Sequence, residues 1–588
     1  MIEANPFGPL VTPDNVIFRL WAPAAERVEL LHHDTHEMRR TDDGWFKLMV
    51  PKARPGDLYR FRIDGDTEVP DPASSFQPND VHGPSEVIDH QAFQWQTHAW
   101  DGRPWHESVF LELHIGTFTP EGTFRAAIEK LDAVADAGIT AIELMPVADF
   151  PGRWNWGYDG VLLYAPDSAY GRPDDLKLLV DAAHQRGLMV FLDVVYNHFG
   201  PDGNYLGRYA PQFFSQTQTP WGNAIDYEQP EVRRFAIENA LYWLNDFRFD
   251  GLRLDAVHAI AEPGRTTLLR EMSVAVGLLA SQTARHIHLV LENDANQASL
   301  LDPLADPPRG NYRAQWNDDY HHAFHVLLTG ETHGYYTDYR EPSRYLGRAL
   351  AEGFVYQGEP SPHRSGEKRG EASNNLPPTA FVNFLQNHDQ IGNRALGERL
   401  SELADPEAME AALAVMLLSP GPPLMFMGDQ WGAREPFPFF CDFKGELAEA
   451  VRKGRRKEFL EAYVKYQNQV PDPLSEDTVK RATLDWNAVN TPEHQARLEL
   501  VRSLLAARRR FVMPRLAQLQ PGHGRAEFTD GVITATWSFR TDETLTILAN
   551  LGGRVQQKPA TFAGTPVWGG APPDELAPWR VYAAIGGA

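Results

Sequence analysis

The chain holds 588 residues, 43% of them hydrophobic and 23% charged; these proportions fit a folded protein of three or four domains and exclude a fibre or a disordered tail. Its 79 acidic residues outnumber 55 Lys and Arg, a net charge of −24, so nucleic-acid phosphates and anionic membranes are repelled and neither is an expected partner. The 15 Trp, 19 Tyr and 31 Phe supply flat apolar faces of the kind that stack on sugars.

The first residues carry Glu3, Pro6 and Pro9 and no cationic start followed by an apolar stretch, so a cytoplasmic location is expected, with monomer and homodimer both open. Residues 16–21 and 45–50 read as strands. Tyr59, Phe61 and Ile63 alternate with Arg60, Arg62 and Asp64 ahead of a turn at Asp64 and Gly65, the pattern of a hairpin strand with one buried face. A small β-sandwich is predicted over residues 1–95. Its end, 70–94, is rich in Asp, Pro, Ser and His without a period and reads as a linker.

From residue 107 short apolar runs alternate with helical periods. Runs 109–115, 139–145, 188–195, 251–255, 288–292, 312–316, 381–386 and 424–427 read as eight strands. Between them Phe124, Ile128, Leu131 and Ala135 recur at helical spacing up to Gly138, and Leu176, Leu179, Val180 and Ala183 do so between Pro173 and Gly187. Behind Pro230, the residues Val232, Phe235, Ala236, Ala240, Trp243, Leu244 and Phe247 form a wide apolar stripe. Helical stretches are also predicted over 406–418 and 492–509. The apolar run 411–427 is broken by Pro420, Pro422 and Pro423 and falls short of the ~20 residues of a membrane span.

The fold class this predicts is α/β, a (β/α)8 TIM barrel over residues 96–512 between the N-terminal β-sandwich and a small C-terminal antiparallel β domain over 513–588. In the last unit 526–528, 532–539 and 544–551 read as strands. Residues 196–229 are too long for an ordinary βα loop and are predicted to lie over the barrel mouth. Cys441 stands alone, which excludes an internal disulfide and a thiolate metal site. The basic run 452–457 reads as a solvated helix face.

Barrel enzymes place reacting groups at the C-terminal ends of strands, and Asp255, Glu292 and Asp389 end three different ones. A carboxylate on an apolar stem is costly unless paired or used, so the three are expected to converge as catalytic acids. Arg253 lies two residues before Asp255, on the same strand face, and would keep that carboxylate ionised. Glu292 ends an uncharged strand beside Asn293, where desolvation and neighbouring acids would raise its proton affinity. One ionised and one protonated carboxyl suit the cleavage of a glycosidic acetal. His321 and His322 with Asp318 and Asp319 offer metal-ligand chemistry, but supporting the pocket is the preferred reading, and no metal or cofactor is expected. An enolase-like barrel would need a Lys base at a strand end, and none is there.

Residues 193–198, 251–255, 291–294 and 386–389 resemble, in order, the signature regions of the α-amylase superfamily of glycoside hydrolases. The resemblance covers about residues 107–510, and residues 112–118, 292–294, 316–322 and 386–393 are similar to a subgroup that releases trehalose from a maltooligosyl chain. It implies retaining hydrolysis of an α-1,4 bond next to a terminal trehalose, with a small oligosaccharide as substrate and no metal. The alternatives are a glucan branching enzyme, which passes the same covalent intermediate to a sugar hydroxyl, and an inactive carbohydrate-binding scaffold, disfavoured by the presence of all three acids.

By the same resemblance Asp255 is the nucleophile, Glu292 the general acid, and Asp389 a binder of sugar hydroxyls that favours ring distortion. His198 and His388 hydrogen-bond the sugar, Asp193 orients Arg253, and Tyr158 stacks beneath the sugar being cleaved. Trp156, Asn293, Asp294, Gln390 and Trp221 complete the expected substrate contacts. For Trp154 and Trp221, packing in the barrel wall weighs equally.

Overall fold

The computed structural model describes residues 6–301, 311–460, 469–559 and 562–587. Eight parallel strands close a barrel, in chain order β1 (Phe110–Leu113), β2 (Ala141–Leu144), β3 (Met189–Val194), β4 (Gly251–Leu254), β5 (His288–Leu291), β6 (Ala314–Trp316), β7 (Phe381–Phe384) and β8 (Pro423–Phe426). Each lies within, or one residue outside, a run that the sequence marks. The expected α/β barrel between two β units is the fold observed.

Strand alternation sorts the barrel interior into layers. Phe110, Ala141, Phe191, Val290, Ala314, Trp316, Val382, Phe384 and Leu424 form one buried apolar cluster, closed at its base by Trp105. Two residues further along several of these strands the inward positions turn polar: Glu112, Glu143, Asp193 and Arg253 follow Phe110, Ala141, Phe191 and Gly251. Gly251 is required where it stands, because a Cβ there would lie 2.2 Å from the Phe191 ring. The barrel is thus apolar below and charged at its C-terminal mouth.

Helices Pro173–Gln185, Pro230–Asp246, Pro406–Leu418 and Pro492–Ala507 each begin on the proline that the sequence marks. The helical period from Phe124 is interrupted, as Phe124–Ile128 and Leu131–Asp136, and Gly138 follows in the left-handed region at φ 98°. The insertion at 196–229 contains a hairpin, Phe214–Thr219 against Gly222–Ile225, that its exposed Ser, Gln and Thr residues conceal from any hydrophobic pattern.

In the N-terminal sandwich one sheet runs Leu10–Val11, Asn15–Trp21, Trp45–Pro51, Arg39–Arg40 and the other Asp34–Glu37, Val28–His32, Leu58–Ile63, Thr67–Val69. Phe18 meets Tyr59 at a ring separation of 4.8 Å across the core. The stretch expected as a linker is packed over much of its length. Asp71, Ser74, Phe76, Gln77, Val81 and Ser85 are buried, Tyr59 donates to Asp71 Oδ2 at 2.8 Å, and Ser85–Glu86 pairs with the strand at Leu58 and Tyr59. Its polar residues bond inward, so it shows no amphipathic period despite being ordered. The C-terminal sheet runs Leu519–Thr529, Val532–Phe539, Glu543–Asn550, Arg580–Gly587, Thr565–Trp568.

Candidate active site

Asp255 follows β4, and the chain turns sharply behind it: Ala256 adopts the left-handed conformation at φ 38°, an uncommon state for a residue with a Cβ. That turn aims the Ala256 N–H at Glu292 Oε2, 2.7 Å away. Arg253 lies between the two acids. Its NH1 donates to Asp255 Oδ1 at 2.8 Å and to Asp193 Oδ2 at 2.7 Å, and its NH2 stands 3.1 Å from Glu292 Oε2. The guanidinium rests on the Trp316 ring at 4.2 Å, an arrangement that holds its plane fixed.

The two acids are electrostatically unlike. Burial alone would raise the Asp255 carboxyl, but Arg253, the Asn197 amide at 2.8 Å and His198 outweigh it and hold the group below the usual carboxylate range. For Glu292 burial dominates, and with Asp255, Asp318 and Asp389 close by it overcomes Arg253 and pushes the carboxyl well above that range. The surroundings thus favour the charged form of Asp255 and the proton-bearing form of Glu292, the division that acid-assisted displacement requires.

Asp389 sits on the short helix His388–Gly392. The reciprocal capping of that helix, Asn387 Oδ1 to the Asp389 N–H at 2.9 Å and Gln390 Oε1 to the Asn387 N–H at 3.0 Å, sets the direction of both neighbours. Asp389 is exposed to the mouth while His388 is buried against β1. Tyr158 stacks on His388 at 5.1 Å and 25°, donates to Asp193 Oδ2 at 2.6 Å, and lies 2.9 Å from His388 Nε2. His198 Nε2 donates to the Tyr158 carbonyl at 2.9 Å, and Trp221, at the hairpin tip and half exposed, stacks on His198 at 4.8 Å and 11°. The Trp221 ring is therefore part of the mouth, not of the barrel wall.

The remaining expected contacts are less free. Trp156 is buried, stacked on Phe437 at 5.3 Å and edge-on to His388 at 5.4 Å, which makes it a backing wall. The Asn293 side chain closes its own turn through the Ala295 N–H at 3.0 Å and Gln297 at 3.3 Å. Gln390 is engaged in the helix cap and reaches Asp318 Oδ1 at 3.4 Å. Asp294 is half exposed and gripped by Arg364 and by Arg369, the latter at 3.1 Å.

His321, His322, Asp318 and Asp319 do not form a metal cage. Asp319 is enclosed by Asn296, Tyr339, Arg369 and the N–H groups of Val355 and Tyr356, and His321 lies between the Leu385 carbonyl at 2.5 Å and the Tyr336 hydroxyl at 2.9 Å. Asp318 is driven by burial, then by Asp294 and Asp389, to about 7. Among the described residues, three ligand atoms within 4.8 Å of one another occur at His32, His33 and Asp57 on the N-terminal sandwich.

Sequence reasoning left Asn197 and Glu112 without roles, although both sit in the quoted motifs. Asn197 holds Asp255 through its carboxylate and its carbonyl, at 2.8 and 3.0 Å. Glu112 binds His388. An acid inside an otherwise apolar strand at an inward-facing position was the available signal.

A closed barrel whose mouth sets two carboxyls of opposite proton affinity on one arginine has the site of a glycoside hydrolase of the α-amylase class. Residues 74–210 match the family described as the alpha amylase catalytic domain, and residues 6–76 match carbohydrate-binding module 48, the isoamylase N-terminal domain. A malto-oligosyltrehalose trehalohydrolase of Deinococcus radiodurans is 44% identical over 84% of this chain and 80% of its own, and one of Saccharolobus solfataricus is 42% identical over 82% and 83%. A crystal structure of a Salmonella typhimurium chain, described there as an alpha-amylase candidate, superposes with a TM-score of 0.94 at 44% identity over 99% of this chain and 100% of that one. The chain belongs to the malto-oligosyltrehalose trehalohydrolase family. A 1,4-alpha-glucan branching enzyme of Pseudoalteromonas atlantica is 33% identical over 41% of this chain and 37% of its own.

Proposed function

We propose that this chain hydrolyses the α-1,4-glucosidic bond next to the terminal trehalose of a maltooligosyltrehalose, with retention, releasing trehalose and a maltooligosaccharide. The observation that carries the chemistry is the single guanidinium of Arg253 shared by an ionised Asp255 and a protonated Glu292. Double displacement uses carboxyl groups roughly 5–5.5 Å apart, whereas inversion leaves about 6.5–9.5 Å for a water; the sharing of one guanidinium by both carboxyls supports the closer arrangement.

In the first step Asp255 attacks the anomeric carbon while Glu292 gives its proton to the departing oxygen, and trehalose leaves. In the second Glu292, now ionised, takes a proton from water, which displaces Asp255 and frees the maltooligosaccharide. Asp389 reaches the sugar hydroxyls from the mouth, Tyr158 supports the ring from below, and His198 and His388 flank it. The whole-chain likeness favours water as acceptor over the sugar hydroxyl of a branching enzyme.

The test is a product assay on maltopentaose and on its trehalose-ended isomer, with sugars identified by NMR. Trehalose should come from the second substrate alone, and the freshly released reducing end should be α. No trehalose from the second substrate, or a β product, refutes the reading.

A further inference from the structure

Glu112 stands in the middle of β1, fully enclosed, and the hydrolysis as derived gives it no part. Both its oxygens are engaged by one residue: Oε1 meets His388 Nδ1, and Oε2 accepts the His388 backbone N–H at 3.1 Å. Across the ring, Nε2 lies 2.9 Å from the Tyr158 hydroxyl. Tyr158 has one hydroxyl proton, and it goes to Asp193 Oδ2 at 2.6 Å, an oxygen that also accepts Arg253 at 2.7 Å and so carries no proton of its own. The hydroxyl oxygen is therefore the acceptor toward His388, and Nε2 must be the donor. Nδ1 faces a carboxylate, so a second proton lies between the ring and Glu112.

We propose that Glu112 is a positioning residue of the reaction: it holds His388 as an imidazolium, stacked on Tyr158, with Nε2–H donated to the Tyr158 hydroxyl, which fixes that ring beneath the sugar site. This rests on the hydrolytic reading above. The charged and titratable groups that face the ring are Glu112 and His114 from β1 and its end, Tyr158 from the loop after β2, Asp193 on β3, Arg253 on β4, and Asp389 on its own helix. Burial presses the ring to lose a proton, and Arg253 adds to that; Glu112, with Asp389, outweighs both and holds His388 above the ordinary imidazole range. Glu143 pairs directly with Glu112 across β1 and β2. Burial and the charge of Glu112 push the Glu143 carboxyl well above the usual range.

Glu112→Gln keeps the shape and removes the charge. It should release trehalose with kcat lowered roughly tenfold or more, an unfolding temperature within a few degrees of wild type, and the alkaline limb of its pH profile displaced at least about one unit to lower pH, because the uncompensated buried ring loses its proton sooner. Glu112→Asp retains the anion and should hold the limb nearer the wild-type position. A limb unmoved in both variants, or kcat within twofold in Glu112→Gln, overturns the proposal. Should Glu112→Gln fail to fold, 15N-histidine labelling of the wild type decides: the resonances that vanish in His388→Gln should report both ring nitrogens protonated at pH 7, and a neutral ring there refutes the assignment. Wild-type enzyme that releases no trehalose sinks the hydrolytic reading instead, and leaves the ring measurement standing.

Discussion

Asp255 and Glu292 share a guanidinium but differ in what they must do, so their amides should fail differently. Asp255→Asn removes the attacking group, and turnover should fall at least ~10³-fold on every substrate. Glu292→Gln removes a proton donor, so the loss should be as large on a natural glucan but much smaller for first-step cleavage of a maltosyl fluoride, whose leaving group needs no proton. Burst and steady-state kinetics on both substrates check this; equal losses would remove the distinction in roles. The wild-type pH profile carries the same signs. Activity should fall in acid as Asp255, held low by Arg253, finally protonates, and in alkali as the first of two protons is lost, that of Glu292, held high by burial, or that of the His388 ring, held by Glu112. These residues were legible in the sequence because each is a charge on an apolar strand end. Asn197 and Glu112 were harder to find: an amide carries no electrostatic signature, and Glu112 lies inside a strand, where its partner His388 is 276 residues away in the chain.

Among the elements, regular strands and proline-started helices were readable because periodicity and N-terminal proline act locally. The hairpin Phe214–Thr219 with Gly222–Ile225 was not, since the polar residues along it face solvent and only its base, at Phe214, Ala224 and Ile225, packs inward. Because Trp221 rests on His198 and is otherwise half exposed, Trp221→Ala should leave the unfolding temperature unchanged while raising KM roughly 2–10-fold, the equivalent of about 0.5–1.5 kcal/mol of aromatic contact. An unchanged KM would place the substrate elsewhere. A second element-scale contact is structural. Arg508, buried just after helix Pro492–Ala507, donates to the carbonyls of Leu417, Ser419, Pro420 and Gly421, the turn that leads into β8, and burial lowers its guanidinium to about 9. Arg508→Met would leave those acceptors buried without a donor, and should destabilise the protein by about 3 kcal/mol or more in urea unfolding with the active-site chemistry untouched.

For the whole molecule, the sandwich and barrel are joined by the stretch that composition reads as a linker, and that stretch is packed against both. Val81 from that stretch packs with Val161, Leu162 and Ala165 beside the barrel, and Asp80 Oδ2 accepts the Gly152 N–H at 3.0 Å. The junction gathers three acids: Asp80, Asp149 and Asp167. Burial first, then Asp167 and Asp80, push Asp149 well above the carboxylate range, and burial, with Asp80 adding to it, brings Asp167 to about 7. Both groups bind protons more tightly folded than unfolded. Their contribution to stability is therefore full below the ordinary carboxylate pKa of about 4 and is lost as pH rises above it, for Asp167 through about 7. Asp149→Asn mimics the protonated group at every pH. At about pH 3.5, below the ordinary carboxylate pKa, the two proteins should unfold at nearly the same temperature; at pH 8 the variant should be the more stable, because the wild type must either hold a buried proton against the solvent or ionise beside Asp167. Thermal unfolding across that range checks the sign: a difference that shrinks toward alkali, or a variant less stable at pH 8, would mean that the Asp149 charge is compensated in the folded protein and that the junction tightens rather than loosens as the acids ionise.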